Sequence, residues 1–417
     1  MKSHRVLLLN QCFYPDHVAS SQYLTDLAKG LVRAGHQVSV VASSRGYSDP
    51  SVRYPVRENW QGIDIRRIWV PGLGKGSKWR RAVDFGMFWL NAVRILALLR
   101  RHDVTVCLTS PPLISSLGAL YAVLKGGASV PWIMDLNPDE AIAAGWLKPN
   151  GWPVRLMDAF QKWSFRSAAT IIALDSFMAA RIEAKGVPRK KIRVVPPWSH
   201  DDVVTYDPAG RAEFRAAHGL EGKFVVMYSG NHSPCHPLDP LLHAAERLQG
   251  DDQLRFLFVG GGSEFAKVQE FAKSRSLGNI VTLPYQPVES LSKSLSAADL
   301  HVVVMGEPFV GMIHPCKIYN ILRLGLPFLG IGPDQCHLGD ISRQVGDPTY
   351  ARVVSPDDPC QMEEALKSAQ SRGALPPSPK LQQLGGLYSQ QMMLPQLVQI
   401  INDASVRPWN PKVAAPN

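Results

Sequence analysis

A lysine that opens a predicted helix carries the clearest chemical pattern in the sequence. Lys317 begins the segment KIYNILRL, whose apolar residues recur at helical spacing. Directly upstream, the β-branched run DLHVVVM at 299–305 predicts a strand buried on both faces of a parallel sheet. The loop from such a strand into a helix presents N–H groups and the positive end of the helix dipole, which favour phosphate. The segment 307–327 therefore predicts an anion site, and the alternative is an ordinary turn with a solvated lysine.

A carboxylate marks the end of another predicted strand. The run VPWIMD at 130–135 places Asp135 at the carboxyl edge of a sheet, where α/β folds bind their ligands. A carboxylate at this edge can orient a hydroxyl group or accept its proton. The alternative is a structural role for Asp135, as an N-cap or an Asx turn before Pro138.

Two series of alternating strands and helices would position these groups. The first series opens with a strand–helix–strand unit, and Ser20 and Ser21 are candidate N-caps of its helix. The second opens at KFVVMYSGN, residues 223–231. This order predicts an α/β protein with two doubly wound, Rossmann-like domains facing across a cleft. The predicted domains are 1–200 and 201–385, and 386–417 forms a helix and tail that return toward the N-terminal domain.

Composition and charge limit the possible functions. The chain has 417 residues and a net charge of +10, which suits anionic partners. Nucleic acid is excluded as a partner, because no basic surface interleaved with aromatic side chains is evident on a predicted sheet. The six cysteines form no CxxC pair, which argues against a structural zinc site and favours the reducing cytoplasm. No segment is apolar enough to span a membrane.

Residues 75–101 combine basic ends with large aromatic side chains. Such a helix is typical of segments that lie at an anionic membrane surface. The sequence therefore predicts a peripheral contact with the inner face of the cell membrane through about 75–101. The alternative is a domain helix whose apolar face is core and whose arginines are solvated.

Several segments together resemble the GT-B glycosyltransferases of the retaining family 4 type, most closely their bacterial surface-polysaccharide branch. The resemblance rests on the order and spacing of these segments over nearly the whole chain. They include FYPDHVASSQYLTDLAKGLVRAGHQVSVV, MDLNPDEAIAAG, VVMYSGNHSPCHPLDPLLHAA, FLFVGGGSE and PCKIYNILRLGLP. The resemblance implies a hexosyltransferase with an acceptor site in the N-terminal domain and a nucleotide-sugar site in the C-terminal domain. Its donor would be a nucleotide-diphosphate sugar, and its acceptor a glycan or a lipid-linked molecule in polysaccharide or glycoconjugate biosynthesis.

The resemblance also implies residue roles. Lys317 would neutralise the leaving diphosphate, and Asp135 would meet the acceptor hydroxyl. No cofactor is implied beyond the nucleotide sugar, and a metal is not required. The donor-binding positions would be Ala19, Ser20, Gly230, Asn231, Gly260, Gly261, Tyr285, Gly311, Met312, His314, Pro315 and Asn320.

The chain departs from the family pattern at several of these positions. Met312 and Asn320 replace the two acids of a Glu-x7-Glu motif, and Ala19-Ser20 replaces an early Gly-Gly. The basic pair expected after the Tyr-Ser-Gly loop is absent, and the loop carries His232 and His236. Two alternatives therefore stay open: a nucleotide-sugar epimerase or hydrolase on the same scaffold, and a catalytically degenerate partner protein.

Overall fold

The computed structural model describes residues 3–47, 49–73, 78–199 and 203–405. The chain divides into two compact units. The first contains the chain up to Pro196 and again from Leu394 onward, and the second is Pro197–Met393. Each unit is built on a six-stranded sheet with helices between successive parallel strands, so the predicted α/β, Rossmann-like class is confirmed.

The sheet of the first unit has the strand order β3-β4-β2-β1-β5-β6, in which β3 alone is antiparallel. Strand order reverses beside β1, so the loops after β1 and β5 meet at the topological switch point. Two further short parallel strands, β7 and β8, pair with each other. The strands are β1 Arg5–Leu9, β2 Gln37–Ser43, β3 Arg57–Trp60, β4 Ile63–Ile68, β5 Val104–Cys107, β6 Ala128–Pro131, β7 Ile171–Ala173 and β8 Ile192–Val194.

The helices of the first unit cover this sheet because their apolar stripes match its aliphatic strands. Val6, Leu7, Leu8 and Leu9 of β1 are fully buried. Buried residues of the second helix, such as Phe88, pack in the same core as Leu7 and Leu9. The helices are α1 Ala19–Arg33, α2 Lys78–Leu98, α3 Ile114–Lys125, α4 Asp139–Ala143, α5 Trp152–Ser167 and α6 Ser176–Ala184.

The sheet of the second unit is entirely parallel, with the order β11-β10-β9-β12-β13-β14. Strand order reverses between β9 and β12, and a ligand crevice is expected at the carboxyl ends of these two strands. The strands are β9 Phe224–Asn231, β10 Leu254–Gly261, β11 Ile280–Leu283, β12 Leu300–Val304, β13 Phe328–Ile331 and β14 Ala351–Val354. The helices are α7 Pro208–Ala217, α8 Asp239–Arg247, α9 Phe265–Ser274, α10 Leu291–Ser296, α11 Lys317–Leu324, α12 His337–Val345, α13 Pro359–Arg372, α14 Pro379–Leu387 and α15 Gln390–Ser405.

The last helix joins the first unit, which confirms the predicted return of the C-terminal helix. A Cβ built on Gly30 of α1 would lie 3.0 Å from Leu394, so the two helices are in close contact. At the other end of α15, Ser405 Oγ lies 3.1 Å from Nε2 of His4. Among the described helices, none combines the length and the apolar composition that crossing a membrane requires.

Candidate functional site

Lys317 lies at the switch point of the second unit, where the loop after β12 enters α11. Its Nζ sits 3.5 Å from the centre of the Tyr228 ring, at the end of β9. The atom is shielded from solvent and has no hydrogen-bond partner among the described residues. The ring partly offsets the cost of burying the charge, because its face is electronegative. Among the described residues, no carboxylate forms an ion pair with this ammonium group, which is the arrangement expected of a side chain that binds an anion.

Burial lowers the pKa of Lys317 to about 7. An anion beside Nζ would favour the charged form and raise this pKa again. Burial, with the charge of Lys317 as a second cause, lowers the pKa of His232 to about 4 and of His236 to about 3. Both neighbouring histidines are therefore neutral near pH 7 and do not compete with Lys317 for that anion. As neutral rings, they place Nδ1 3.0 Å from the Gly230 carbonyl and 2.8 Å from the Val304 carbonyl, respectively.

The start of α11 differs from the sequence-based expectation of several unpaired N–H groups. The N–H groups of Cys316, Ile318 and Tyr319 already donate to carbonyl oxygens two or three residues earlier. Such short-range bonds tighten the first turn and consume donors that a longer α-helical start would leave open. Three N–H groups of this turn are therefore already bonded, whereas the Lys317 side chain is a buried donor with no partner among the described residues.

Two glycines let the backbone of β9 and β10 approach this lysine closely. Gly230 has a φ of 130°, and a Cβ on it would lie 3.1 Å from Lys317 Nζ. Gly260, with a φ of 136°, pairs with Gly230, and its Cβ would lie only 2.0 Å from the Gly230 carbonyl oxygen. Both positions therefore require glycine, for the backbone conformation and for space.

An exposed aromatic ring stands beside this glycine loop. Tyr285 follows β11, is 59% exposed and lies against Gly261, whose carbonyl accepts a 3.3 Å hydrogen bond from its hydroxyl. Asn231, which pairs with Gly261, is also exposed. The structure thus brings together six of the predicted residues at the carboxyl edge of the second sheet. They are Gly230, Asn231, Gly260, Gly261, Tyr285 and Lys317.

The remaining residues of this unit that were predicted to bind the donor sugar nucleotide are buried, half-buried or bonded to neighbouring side chains. Gly311 and Met312 are buried in the loop before α11, and Pro315 is buried at its end. His314 Nε2 lies 2.7 Å from the hydroxyl of Tyr319, which in turn lies 3.1 Å from Nε2 of His337. His314 is therefore engaged within its own unit. Asn320 lies half-buried on α11, one turn after Lys317.

In the first unit, Asp135 does not end a strand as predicted. Strand β6 stops at Pro131, and Asp135 lies half-buried in the following loop, where its N–H lies 3.3 Å from Thr109 Oγ1. Burial raises the pKa of Asp135 to about 8; Glu140 raises it further, and Arg81 lowers it. A carboxyl group with this pKa is mostly protonated at pH 7, and its ionised fraction, which grows as the pH rises toward 8, can accept a proton from a reacting hydroxyl.

Ala19 and Ser20 form the first turn of α1 in the same unit. Val18 occupies the N-cap position and no side chain caps the helix, so the predicted N-cap role of Ser20 is wrong. A cap at Ser20 would start the helix at Ser21, whereas α1 starts at Ala19. Ala19 is exposed and Ser20 half-buried, so their polar groups stand at the surface of this unit.

Sequence reasoning missed Tyr228, which supports the buried lysine. Its side chain is fully buried and its hydroxyl donates a 2.8 Å hydrogen bond to the Asn231 carbonyl. One clue was present in the sequence. Tyr228 is the polar-tipped residue in the otherwise aliphatic run FVVMY, and a buried tyrosine in such a run needs a hydrogen-bond partner.

Comparison with known proteins finds family models and a relative that match this chain. A model of the Glycosyl transferase 4-like domain matches residues 19–198, and one of the Glycosyl transferases group 1 matches residues 210–311. WcaI of Escherichia coli (strain K12), assigned as a glycosyl transferase to colanic acid biosynthesis, is 25% identical over 340 residues, or 77% of this chain and 81% of its own.

Solved structures share the fold at low sequence identity. Sucrose-phosphate synthase from Thermosynechococcus elongatus superposes with a TM-score of 0.76 at 14% identity, over 96% of this chain and 98% of its own. Anabaena Alr3699/HepE in complex with UDP and glucose gives a TM-score of 0.71 at 14% identity, over 96% of this chain and 100% of its own.

Proposed function

We propose that this chain, which belongs to the GT-B glycosyltransferases of family 4, transfers a sugar from a nucleotide-diphosphate donor to a glycan or lipid-linked acceptor, with retention of configuration. The observation that carries the proposal is the buried, unpartnered ammonium group of Lys317 beside the Gly230 loop. The similarity to WcaI supports a role in the biosynthesis of a surface polysaccharide.

The diphosphate of the donor would bind at Lys317. Departure of the nucleotide leaves negative charge on its terminal phosphate, and a fixed cation in a site shielded from water stabilises that charge strongly. Lys317 supplies the cation, and the conformation of Gly230 keeps side-chain atoms away from it. This arrangement supports a transfer that needs no resident metal ion.

The nucleoside would lie toward Gly261 and Tyr285. An exposed aromatic face that rests on glycine backbone offers a flat surface on which a base can stack. HepE is solved with UDP and glucose, and this supports a uridine nucleotide as the first donor to test. Asn320, one turn after Lys317, would contribute an uncharged hydrogen bond to the donor in place of a glutamate.

In the first unit, Asp135 would orient the acceptor hydroxyl and receive its proton. Because its pKa is raised to about 8, the ionised fraction that can receive this proton grows as the pH rises toward 8. Ala19 and Ser20 would line the approach of the substrates at the start of α1.

The acceptor side would work at a membrane surface. Helices α2, α3 and α5 lie side by side, because Lys125 of α3 donates to the Ala97 carbonyl of α2 and Ser116 of α3 to the Phe160 carbonyl of α5. Together they form the three-helix face, which exposes large apolar side chains among arginines such as Arg94 and Arg155. The apolar residues are Leu90, Val93, Leu98, Leu120, Leu124, Trp152, Leu156, Phe160 and Trp163.

Exposed tryptophan and leucine with basic neighbours suit the interface of a bilayer that contains anionic lipid. We therefore extend the contact predicted for 75–101 to this whole face, at the inner side of the cell membrane. Lys75, Gly76 and Ser77 of that segment lie outside the described residues.

A transfer assay tests the proposed function. The purified protein is incubated with radiolabelled UDP-sugars and a lipid extract that contains glycan-lipid intermediates. The expected result is label in the lipid fraction, formed in equal amount with free UDP. Label that appears only as free sugar or as an altered nucleotide sugar would instead identify a hydrolase or an epimerase. Donor binding with no turnover under any condition would identify a degenerate partner protein.

A further inference from the structure

The first unit contains a small pocket that the roles assigned so far leave unexplained. It opens at the carboxyl edge of the first sheet, beside the loops after β1, β2 and β4 and the first turns of α2. Its polar lining includes the side chains of Gln11, Ser43, Arg45, Tyr47 and Arg81. A pocket at this edge of a parallel sheet is where α/β folds hold ligands.

Two guanidinium groups converge on the pocket without a carboxylate partner. Arg45 Nη1 donates to the Pro50 carbonyl at 3.3 Å, and Arg81 Nη2 donates to the Tyr47 hydroxyl at 3.3 Å. Within the described part of the chain, neither arginine forms an ion pair. Each guanidinium carries five N–H donors in a fork that matches a phosphate or a carboxylate, so most of these donors are left for a ligand.

One carboxylate also lines the pocket, but it is turned toward the backbone. Asp84 is buried, and its Oδ1 accepts hydrogen bonds from the N–H groups of Gly72 and Leu73 at 3.0 and 3.2 Å. It therefore holds the loop before α2 in place. Because two arginines face one carboxylate already engaged by two N–H groups, the lining keeps an excess of positive charge.

Tyr47 adds a neutral donor beside Arg81. Burial raises the pKa of Tyr47 to about 12, although Arg81 opposes the shift, so the hydroxyl keeps its proton at physiological pH. The same arginine acts on Asp135, where it opposes the rise of the carboxyl pKa. Arg81 thus links the pocket electrostatically to the residue proposed to meet the acceptor hydroxyl.

We propose that this pocket is an anion subsite for the acceptor, in which Arg45 and Arg81 bind a phosphate or carboxylate group that the acceptor carries close to its reacting hydroxyl. The proposal rests on the proposed function, because it assigns the first unit to the acceptor. The shared chemistry is an oxyanion, which a phosphate-linked lipid or an acidic sugar would supply. An acceptor without such a group would leave two arginines unpaired and would be discriminated against.

Calorimetric titration with small anions tests the subsite apart from the donor. The protein carries Lys317→Ala, so that the donor site cannot bind the probe, and ionic strength is held constant with sodium chloride. The probes are methyl phosphate and glucuronate. We expect saturable binding of at least one probe, weakened about tenfold by Arg45→Gln or by Arg81→Gln, the loss expected for one charge-assisted pair. Arg81→Lys keeps the charge and should restore part of the affinity.

Arg193→Gln is the matched control, because Arg193 is exposed on β8 of the same unit and its guanidinium donates to the Lys190 carbonyl rather than lining the pocket. It should leave probe binding unchanged. Binding of methyl phosphate alone supports a phosphate-bearing acceptor, and binding of glucuronate alone supports an acidic sugar. Failure of both probes, or binding that both arginine substitutions leave intact, overturns the subsite. Failure of UDP-sugars to bind the unsubstituted protein would overturn the proposed function instead, and the two results are independent.

Discussion

At the scale of single residues, the central feature is a lysine whose Nζ is buried against the Tyr228 ring and has no counterion among the described residues. Burying an ammonium group costs several kcal/mol, and the protein reduces that cost when the group loses its proton. Because of this cost, the pKa of Lys317 is lowered to about 7. A diphosphate that enters the site would supply the missing negative charge, so ligand binding and protonation of Lys317 are coupled.

Lys317→Ala should weaken the binding of a UDP-sugar about ten- to a hundredfold, because a charge-assisted hydrogen bond contributes roughly 1.5–3 kcal/mol. The variant should fold normally, since it removes a charge that is costly to bury. Calorimetric titration measures the affinity. Lys273→Ala, at an exposed lysine on α9, is the control and should bind as the wild type does. An affinity within twofold of the wild type in Lys317→Ala would remove this lysine from the site.

The coupling predicts a pH dependence of donor binding. Below the unliganded pKa of about 7, Lys317 is already charged and the affinity should be flat. Above it, binding must take up a proton, so the affinity should fall toward tenfold per pH unit up to the pKa of the complex. A UDP-sugar is a suitable probe because its diphosphate does not titrate near pH 7. Titrations in two buffers of different ionisation enthalpy should show proton uptake at pH 8, and Lys317→Ala should show none.

Asp135→Asn should lower turnover about a hundredfold or more, the scale of a lost proton acceptor, and spare donor binding. Stability gives a second readout. Because the folded pKa of about 8 lies above the ordinary value, the folded state binds more protons than the unfolded state between about pH 4 and 8. The wild type should therefore lose stability relative to Asp135→Asn as pH rises through that window. Parallel pH profiles of the free energy of unfolding would contradict this environment for Asp135.

At the scale of elements, the carboxyl ends of β9 and β10 are shaped by glycine backbone. Gly230→Ala places a methyl group 3.1 Å from Lys317 Nζ and at a φ that alanine rarely adopts. We expect a loss of about 1–3 kcal/mol in stability and a loss of UDP-sugar binding. Chemical denaturation and calorimetry measure the two effects. Gly250→Ala is the control, because nothing lies within 4 Å of a Cβ at this position. Equal stability and equal UDP-sugar affinity of the two variants would contradict the close approach of Lys317 to Gly230.

Most elements follow from sequence pattern alone, because buried parallel strands are short aliphatic runs and the helices between them have apolar stripes. The errors lie where local chemistry decides. The strand that was predicted to end at Asp135 stops at Pro131, because the backbone beyond it leaves β5 for β7, where the Ile133 N–H donates to the Ile172 carbonyl. Asp175, directly before α6, caps that helix by accepting from the Met178 N–H.

Helix α14 does not follow from the helical pattern, because it contains Gly385 and Gly386. Its start nevertheless carries a recognisable helix signal. Ser378 accepts from the Leu381 N–H, and Pro379 occupies the first turn, which is the favoured position for proline in a helix. Glycines lower helix propensity by only about 1 kcal/mol each, and packing of α14 against α11 compensates.

At the scale of the whole molecule, the sequence predicts which residue types form the site but not how they meet in space. The residue types of the donor loop are visible in sequence, and so is Lys317. Other features depend on which loops meet at a sheet edge. Among the described residues, these are the lack of a counterion beside Lys317, the Tyr228 ring against it, and the position of Arg45 and Arg81 in one pocket. A single sequence does not encode those distances in any local pattern.

The three-helix face gives a prediction for the intact protein. Replacing Trp152 and Trp163 with alanine should weaken binding to vesicles of anionic phosphatidylglycerol about fivefold or more, because each exposed tryptophan buries apolar area at the interface. Cosedimentation measures the affinity. Leu387→Ala is the control, since Leu387 is 56% exposed on α14 of the second unit. Unchanged vesicle binding in the double variant would show that this face does not contact the bilayer.

The central claim, that the second unit holds a nucleotide-diphosphate sugar through Lys317, is tested most directly by thermal stabilisation. Wild type and Lys317→Ala are unfolded in the presence of UDP-, GDP-, ADP- and TDP-sugars, since a ligand that binds only the folded protein must raise its unfolding temperature. At least one nucleotide class should stabilise the wild type, and Lys317→Ala should lose this effect. Equal stabilisation of both proteins, or none of the wild type, would contradict it.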